Sequence, residues 1–340
     1  MPPPGVFVIA KRVIMWYNAE KWRQATMKGH NEDKALNRIS DKTMTLSPEE
    51  KAAEQRKRSF NGLSATEWAA LSSSVWNDVS STRAKKHLDH GATFPEKLCD
   101  RLISMYSHTG DTVLDPFLGT GTTVVSAIKN QRIGIGIELT GRFFSVAKRE
   151  IDALTASNQI SFFEQNRTPD TYRLLHGDCC ELLQGLESDS VQLTITSPPY
   201  ADLIHKVVED RSKTHKNSRF VNENNATTNL YSNDARDLGN MPMKPYLERV
   251  GCIMQELYRI TKGGGYNAWV VKDFRDTKHG IPYVDLHSKI AAAGENAGFQ
   301  YHDLIIWDQN AHRKLVLLGY PTTFYVNQNH SFIVIMRKPK

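Results

Sequence analysis

The stretch DTVLDPFLGTGTTVVSAI, residues 111–128, decides the fold of this chain. Residues 111–114 have the composition of a short buried strand, and the apolar run at residues 124–128 predicts a helix. The turn between them contains Gly119 and Gly121, spaced more simply than in the full dinucleotide pattern. Glycine lets backbone approach a ligand, and free N–H groups at a helix start attract a carboxylate or phosphate. The stretch therefore predicts a nucleotide-type binding element.

A second informative stretch is TSPPY, residues 196–200, which follows the β-rich run at residues 191–195. Two consecutive prolines cannot continue a strand ladder, because neither donates an N–H and both have a fixed φ. They leave a rigid loop in which the Ser197 hydroxyl and the Pro198 carbonyl are acceptors beside the flat ring of Tyr200. Such a loop suits the exocyclic amino group of a nucleobase.

Together the two stretches resemble the motifs of the DNA amino-methyltransferases, which modify N4 of cytosine or N6 of adenine. The family's Ser/Asp/Asn-Pro-Pro-Tyr/Phe tetrapeptide is present as Ser197-Pro198-Pro199-Tyr200. Residues 115–123 are similar to its Asp-Pro-Phe-x-Gly-x-Gly-Thr-Thr motif for S-adenosylmethionine. The resemblance covers residues 74–340. It implies S-adenosylmethionine as the cofactor and Ser197, Pro198, Pro199 and Tyr200 as the catalytic residues.

Further cofactor contacts follow along the chain. Glu138 ends a predicted strand about 20 positions after the glycine loop, where an acid suits a bidentate grip on ribose hydroxyls. The resemblance implies that Asp178, after the next predicted strand, approaches the adenine amino group. It also implies that Thr93 and Phe94 lie in a segment that closes over the methionine end. The predicted cofactor residues are Thr93, Phe94, Asp115, Pro116, Phe117, Gly119, Gly121, Thr122, Glu138 and Asp178.

Strands alternate with helices through this region. Four predicted strands carry the motifs, and three more follow at residues 266–271, 304–307 and 332–336, with helices at 246–260 and 285–297. The alternation predicts an α/β fold with a mostly parallel sheet, helices on both faces and a ligand at the carboxyl ends of the strands. The resemblance implies a Rossmann-like seven-stranded sheet with an antiparallel terminal hairpin. The cofactor motif precedes the catalytic one here, the reverse of the order in many Ser-Pro-Pro-Tyr relatives, so the resemblance does not locate the recognition region.

Basic and amide residues outside the motifs predict contacts to double-stranded DNA. The formal net charge is +6, and residues 1–60 hold 12 Lys/Arg against 7 Asp/Glu, which favours polyanions. We predict a basic helical extension over residues 1–73, with Lys57 and Arg58 along a phosphate backbone, before a catalytic domain over residues 74–340. Within that domain, residues 203–245 form a polar insertion whose side chains are of types that read base edges. Its candidate contacts are Arg211, Lys213, Lys216 and Arg219.

The composition argues against several other classes of protein. No apolar run is long enough to span a membrane, and residues 1–5 lack the features of a secretory signal. The four cysteines show no C-x-x-C spacing, so we expect no metal site and no disulfide framework. No cysteine follows a proline, which argues against cytosine-C5 methylation. We expect a cytoplasmic protein, prokaryotic or phage-encoded and associated with the nucleoid.

These features predict a site-specific DNA methyltransferase that flips its target base and transfers the methyl group directly. Serine at position 197 favours N4 of cytosine, since aspartate is commoner there in adenine enzymes, but N6 of adenine stays open. An enzyme acting on RNA or a protein amide would be expected to have asparagine at position 197. A non-enzymatic DNA-binding protein would be favoured by degraded motifs, and both motifs are intact. A restriction endonuclease acting independently is a possible partner, and the oligomeric state is left open.

Overall fold

The computed structural model describes residues 47–79, 95–160, 171–200, 232, 234–276, 280–312, 315 and 322–340. The chain divides into two units, residues 1–59 and residues 60–340.

The described part of the first unit is helix α1, Pro48–Arg58. It begins with a capping box, in which the Glu50 backbone N–H donates to Ser47 Oγ at 3.2 Å and the Ser47 N–H donates to the Glu50 carboxylate at 2.8 Å. The predicted DNA contacts Lys57 and Arg58 are exposed in its last turn. Arg58 pairs with a carboxylate one helical turn earlier, at 2.9 Å. The role of residues 1–73 as a basic extension stays a prediction.

The second unit is built on an eight-stranded sheet. Its strands are β1 (Val75–Trp76), β2 (Thr112–Asp115), β3 (Ile133–Glu138), β4 (Tyr172–His176), β5 (Val191–Thr196), β6 (Thr261–Val271), β9 (Gln300–Asp308) and β10 (His330–Arg337). Their order across the sheet is β1-β9-β10-β6-β5-β2-β3-β4. Strand β10 is antiparallel to both of its neighbours, and the other pairs are parallel. Strands β7 (Phe274–Asp276) and β8 (Ile281–Val284) form a separate antiparallel ribbon.

The predicted fold is confirmed. All seven predicted strands form, the sheet is mostly parallel, and β9 and β10 make the antiparallel terminal hairpin. The count differs by one, because β1 adds a two-residue edge strand parallel to β9. Its Trp76 is fully buried, and the indole N–H donates to the Ser73 carbonyl at 2.7 Å. A strand of two residues is too short to show an alternating pattern in the sequence.

Helices cover both faces of the sheet. They are α2 (Ala65–Leu71), α3 (Glu96–Tyr106), α4 (Thr122–Lys129), α5 (Gly141–Ile160), the short α6 (Cys179–Leu182), α7 (Met243–Ile260) and α8 (Leu286–Ala297). Strand β6 shows the division, since Trp269 and Val271 pack into the core under α7 and α8, while Ala268 and Val270 pack into the core under α3. Helix α7 begins three residues before the predicted start at residue 246. None of the helices in the described ranges combines the length and the apolar character that a membrane span requires.

The parallel strands β2 to β6 all end at one edge of the sheet, which we call the carboxyl edge. Asp115 ends β2, Glu138 ends β3 and Thr196 ends β5. The acids of the cofactor motifs and the residue before Ser197 therefore meet at this edge, as expected for a parallel sheet.

Candidate active site

The glycine loop between β2 and α4 has a backbone that only glycine adopts readily. Gly119 has a φ of +55° and Gly121 a φ of +94°, both in the left-handed region. A Cβ at Gly121 would lie 3.1 Å from the Cβ of Ala147 on α5. The conformation of Gly121 lets the chain turn directly into the N-terminus of α4, and its lack of a side chain lets α5 approach. Gly121 therefore sets the shape of the loop on the side that packs against α5.

Asp115 is a buried hub that ties the loop to the neighbouring strand. Its Oδ2 accepts a hydrogen bond from the Thr123 hydroxyl at 2.7 Å. Its Oδ1 accepts from the Thr196 hydroxyl at 2.7 Å and from the Phe117 backbone N–H at 3.0 Å. Burial raises the pKa of Asp115 to about 6, although these hydrogen bonds oppose the shift. Because Thr196 immediately precedes Ser197, Asp115 couples the glycine loop to the Ser-Pro-Pro-Tyr loop, 81 residues further along the chain.

Glu138 joins the glycine loop to the start of α5. One carboxylate oxygen accepts from the Gly119 backbone N–H and the other from the Thr140 backbone N–H, both at 2.8 Å. Burial raises the pKa of Glu138 to about 7. Each carboxylate oxygen has a second lone pair, so Glu138 retains the capacity to accept from a pair of hydroxyl groups.

Asp178 caps the N-terminus of α6 and is held by an arginine from α7. Its Oδ1 accepts from the Cys180 backbone N–H at 2.9 Å, and its Oδ2 accepts from the Arg249 guanidinium. Asp178 is buried, whereas Arg249 is half-buried. The sequence analysis missed Arg249, because helical spacing shows which residues face the core but not which polar residue reaches a given acid.

One cleft of about 910 Å³, a volume that includes the open solvent at its mouth, is lined by Asp115, Gly119, Glu138, Asp178 and Arg249, whereas Gly121 is not on its wall. The predicted cofactor residues on the cleft wall are Asp115, Pro116, Phe117, Gly119, Thr122, Glu138 and Asp178. Ser197, Pro198 and Pro199 line the same cleft, so both motifs contribute to one site. Tyr200 is half-buried and packs against the core under α7.

The cleft also has walls that the sequence analysis did not assign to it. Phe143 of α5 lines it, as do Arg236, Asp237 and Leu238. Residues 236–238 fall within the segment predicted as a polar insertion, and here they form a tight turn. In that turn, Asp237 accepts from the Gly239 backbone N–H at 2.8 Å and from the Ser232 hydroxyl at 2.8 Å. This end of the segment therefore belongs to the cleft.

Several predicted site residues lie outside the described residues. They are Thr93 and Phe94 of the predicted cofactor set, and Arg211, Lys213, Lys216 and Arg219 of the predicted DNA contacts. Their roles stay predictions.

Sequence comparisons with known proteins point to one family. The model of the N6/N4 methyltransferase family described as DNA methylase matches residues 4–149, which include the glycine loop and Glu138 but end before Ser197. The type II methyltransferase M.BglI of Bacillus subtilis is 30% identical over 154 residues, covering 45% of this chain and 41% of that relative. M.MthZI of Methanothermobacter thermautotrophicus is 43% identical over 95 residues, covering 26% of each chain. A crystal structure of TTHA0409 from Thermus thermophilus, determined with S-adenosyl-L-methionine, has a TM-score of 0.31 and 21% identity, covering 47% of this chain and 53% of that one.

The chain is thus similar to the DNA methylase family over residues 4–149 and to type II methyltransferases over part of its length. It spans less than half the length of these two curated relatives.

Proposed function

We propose that this chain is an S-adenosylmethionine-dependent DNA methyltransferase that methylates the exocyclic amine of a flipped base. Our proposed target is N4 of cytosine. The observation that carries the proposal is the single cleft lined by the glycine loop, Glu138, Asp178 and the loop at residues 197–199. A methyl donor and a base amine must meet in one site. This cleft is lined both by residues suited to the methyl donor and by residues suited to the amine.

The cleft fits the cofactor in shape and in chemistry. Backbone comes close to the cleft at Gly119, and Phe117 offers an aromatic wall. Glu138 is suited to the ribose hydroxyls through its spare lone pairs, and Asp178 to an amino group. The Thr120 hydroxyl is a further polar group on this wall, and it is buried without a hydrogen-bond partner in the described part of the chain. When bound here, S-adenosylmethionine supplies an activated methyl group.

The Ser197 loop supplies the chemistry on the base. Ser197 Oγ and the Pro198 carbonyl accept the two amino hydrogens, which draws the nitrogen lone pair out of conjugation with the ring. Tyr200 stacks on the base and holds it in line with the methyl carbon. The nitrogen forms its new bond as the carbon–sulfur bond breaks, and it then releases a proton to solvent. Because the reactants are held in line, proximity contributes much of the rate.

The same residues would also serve N6 of adenine, so the target base is a separate question. Serine at position 197 supports N4 of cytosine through the family pattern described above. The Thr196–Asp115 hydrogen bond fixes the start of the loop. It supports binding of an exocyclic amine in general and does not distinguish the two bases.

Product analysis tests the proposal. Plasmid DNA is incubated with the protein and S-adenosylmethionine, digested to nucleosides and analysed by mass spectrometry. N4-methylcytosine is the expected product. N6-methyladenine would show that the enzyme methylates DNA but that its target base is adenine. Methyl label in RNA or protein but not in DNA would contradict it.

Ser197→Ala tests whether Ser197 takes part in the methyl-transfer step. The substitution removes one acceptor for the reacting amine, so the single-turnover methylation rate should fall about 10- to 100-fold. Calorimetric binding of S-adenosylmethionine should be unchanged, because its proposed contacts lie on other residues. An unchanged transfer rate would mean that Ser197 does not hold the amine.

A further inference from the structure

The structure has two arginine–tyrosine clusters, one where β2 to β6 begin and one just after β6 ends. At the edge where β2 to β6 begin, the Arg337 guanidinium lies 5.5 Å from the ring centroid of Tyr266, and its Nε donates to the Gly264 carbonyl at 3.4 Å. The Nε of this arginine is thus satisfied by the protein backbone. The exposed Tyr301 on β9 lies at the same edge.

The cluster at the carboxyl edge is built differently. The Arg275 guanidinium lies 4.9 Å from the ring centroid of Tyr325 and 6.0 Å from that of Tyr283. Its Nε is buried and has no hydrogen-bond partner among the residues that the structure describes. Gln328 Nε2, on the segment that leads into β10, also lacks a partner in the described chain. Buried polar groups without partners destabilise a fold and call for an explanation.

Large aromatic and apolar side chains are exposed around this cluster. Phe324 is 72% exposed and Tyr283 is 46% exposed. We call Arg275, Tyr283, Phe324, Tyr325 and Gln328 the arginine–aromatic rim. Its nearby acid, Asp273, is buried and turned inward, since its oxygens accept from the Tyr283 hydroxyl at 2.8 Å and from the Leu286 backbone N–H at 2.9 Å. Asp273 is thus occupied within the protein, and Arg275 supplies the cation of the rim.

The rim begins four residues after the end of β6, the strand that neighbours the proposed catalytic loop. Thr196, the last residue of β5, pairs with Trp269 of β6, so β6 ends next to the start of the Ser197 loop. Arg275 follows Val271, the last residue of β6, by four residues, which span at most about 14 Å. Because β6 lies about 5 Å from β5 in the sheet, Arg275 lies within about 20 Å of the start of the loop. A DNA strand whose base entered the cleft would place its flanking nucleotides within this distance.

We propose that the arginine–aromatic rim is a DNA-contacting surface, on which nucleotides flanking the target base stack against Phe324 and Tyr283 while Arg275 contacts a phosphate. Aromatic rings beside a basic group are the combination that holds nucleic acid strands through stacking and charge. This inference rests on the proposed function, and it adds a contact surface separate from the predicted insertion and from α1.

Binding of a fluorescent duplex, followed by anisotropy over a range of salt concentrations, tests the rim. Phe324→Ala should weaken binding about 5- to 100-fold by removing a stacking surface, without changing the salt dependence. Arg275→Gln should weaken binding and reduce the slope of log K against log salt by about 0.9, the value for one phosphate contact. Tyr301→Ala and Arg337→Gln at the opposite edge are the matched controls and should bind as wild type does. Unchanged calorimetric binding of S-adenosylmethionine identifies folded variants.

The outcomes separate this inference from the proposed function. If the wild-type protein methylates DNA and both rim variants bind it like the controls, the rim is not a DNA surface and the proposed function stands. If the rim and control variants lose affinity equally, the loss reflects general charge or folding, which also overturns the inference. If the wild-type protein neither binds nor methylates DNA, the proposed function fails as well.

Discussion

The two halves of the carboxyl edge differ in how far the protein satisfies its own polar groups. On the β2–β5 half, Asp115, Glu138 and Asp178 are buried, and each uses both carboxylate oxygens in hydrogen bonds within the protein. On the β6–β10–β9 half, four buried side-chain atoms lack partners in the described part of the chain: Arg275 Nε, Gln309 Oε1, Gln328 Nε2 and Asn329 Nδ2. Apart from Thr120 Oγ1 and Thr194 Oγ1, the described polar groups of the β2–β5 half are therefore satisfied within the protein, whereas the other half has donors and an acceptor without partners.

This contrast has a physical meaning for the proposed reaction. A small cofactor of fixed shape is bound best by a site that needs no rearrangement, because ordering side chains on binding costs affinity. A long DNA ligand brings its own polar groups, so the protein can leave some of its hydrogen-bonding capacity unmet until DNA arrives. Substitutions and a pH series test the parts of this contrast, from the largest expected effect to the smallest.

Asp115→Ala should have the largest effect, because it removes the hub of the β2–β5 half. The substitution leaves the Thr123 and Thr196 hydroxyls and the Phe117 N–H without their acceptor. We expect the free energy of unfolding at neutral pH to fall by about 3 kcal/mol, and S-adenosylmethionine binding to be lost. Urea unfolding and calorimetry measure the two effects.

Asp115→Asn is the matched control for that prediction. Asparagine keeps an acceptor oxygen and offers an NH₂ group to a threonine hydroxyl, so we expect stability within about 1 kcal/mol of wild type. If Asp115→Ala were as stable as wild type and bound the cofactor equally well, the β2–β5 half would not depend on this hub.

Tyr200 tests the side of the cleft that receives the base. Tyr200→Ala should weaken productive binding of a target duplex by about 1–3 kcal/mol, since stacking on one base contributes that much. Tyr200→Phe should restore most of the loss, because the ring face provides the stacking. Single-turnover methylation at varied DNA concentration measures both variants, with cofactor binding as the folding control. A Phe variant as damaged as the Ala variant would show that the hydroxyl, not the ring, is what the base requires.

Much of the fold and the cofactor wall could be predicted from the sequence because their signals are local. The turn at Gly119 and the acid at Glu138 each follow a predicted strand, and parallel strands bring such ends together. Arg249 could not be paired with Asp178, because the partners are 71 residues apart and the helix pattern is the same for any polar residue on that face. Arg275 was missed for the same reason, since its ring neighbours come from β8 and from the segment before β10.

The pKa of Glu138 gives a prediction about pH. Burial raises this pKa from 4.5 to about 7, so the protonated form predominates below neutral pH in the unliganded protein. Ribose hydroxyls donate to the carboxylate and favour its ionised form, so cofactor binding should release a proton. Affinity should then rise about 10-fold between about pH 6 and about pH 8. By the same shift, the unliganded protein has its full Glu138 contribution to stability below about pH 4.5 and loses it as the pH rises through about 7.

Glu138→Gln separates this effect from the titration of the ligand itself. The amide does not ionise, so the variant should show only the pH dependence that comes from the ligand and from other groups. Calorimetry of both proteins across this pH range gives the comparison. If the wild type and the variant showed the same pH dependence, the Glu138 carboxylate would not be gripping the cofactor in its ionised form.

Tyr246→Phe should have the smallest effect and the opposite sign. Tyr246 of α7 is fully buried beneath the base side of the cleft, in the core against which Tyr200 packs, and its hydroxyl has no hydrogen-bond partner among the described residues. Removing an unsatisfied buried hydroxyl should raise the free energy of unfolding by about 1 kcal/mol. Tyr172→Phe is the matched control, because the Tyr172 hydroxyl donates to Asp152 at 2.8 Å, and its loss should lower stability by about 0.5–1.5 kcal/mol. Urea unfolding of the two variants should therefore give changes of opposite sign. A loss of stability in Tyr246→Phe would show that this hydroxyl is already satisfied, and Tyr246 would then not belong among the polar groups without partners near the carboxyl edge.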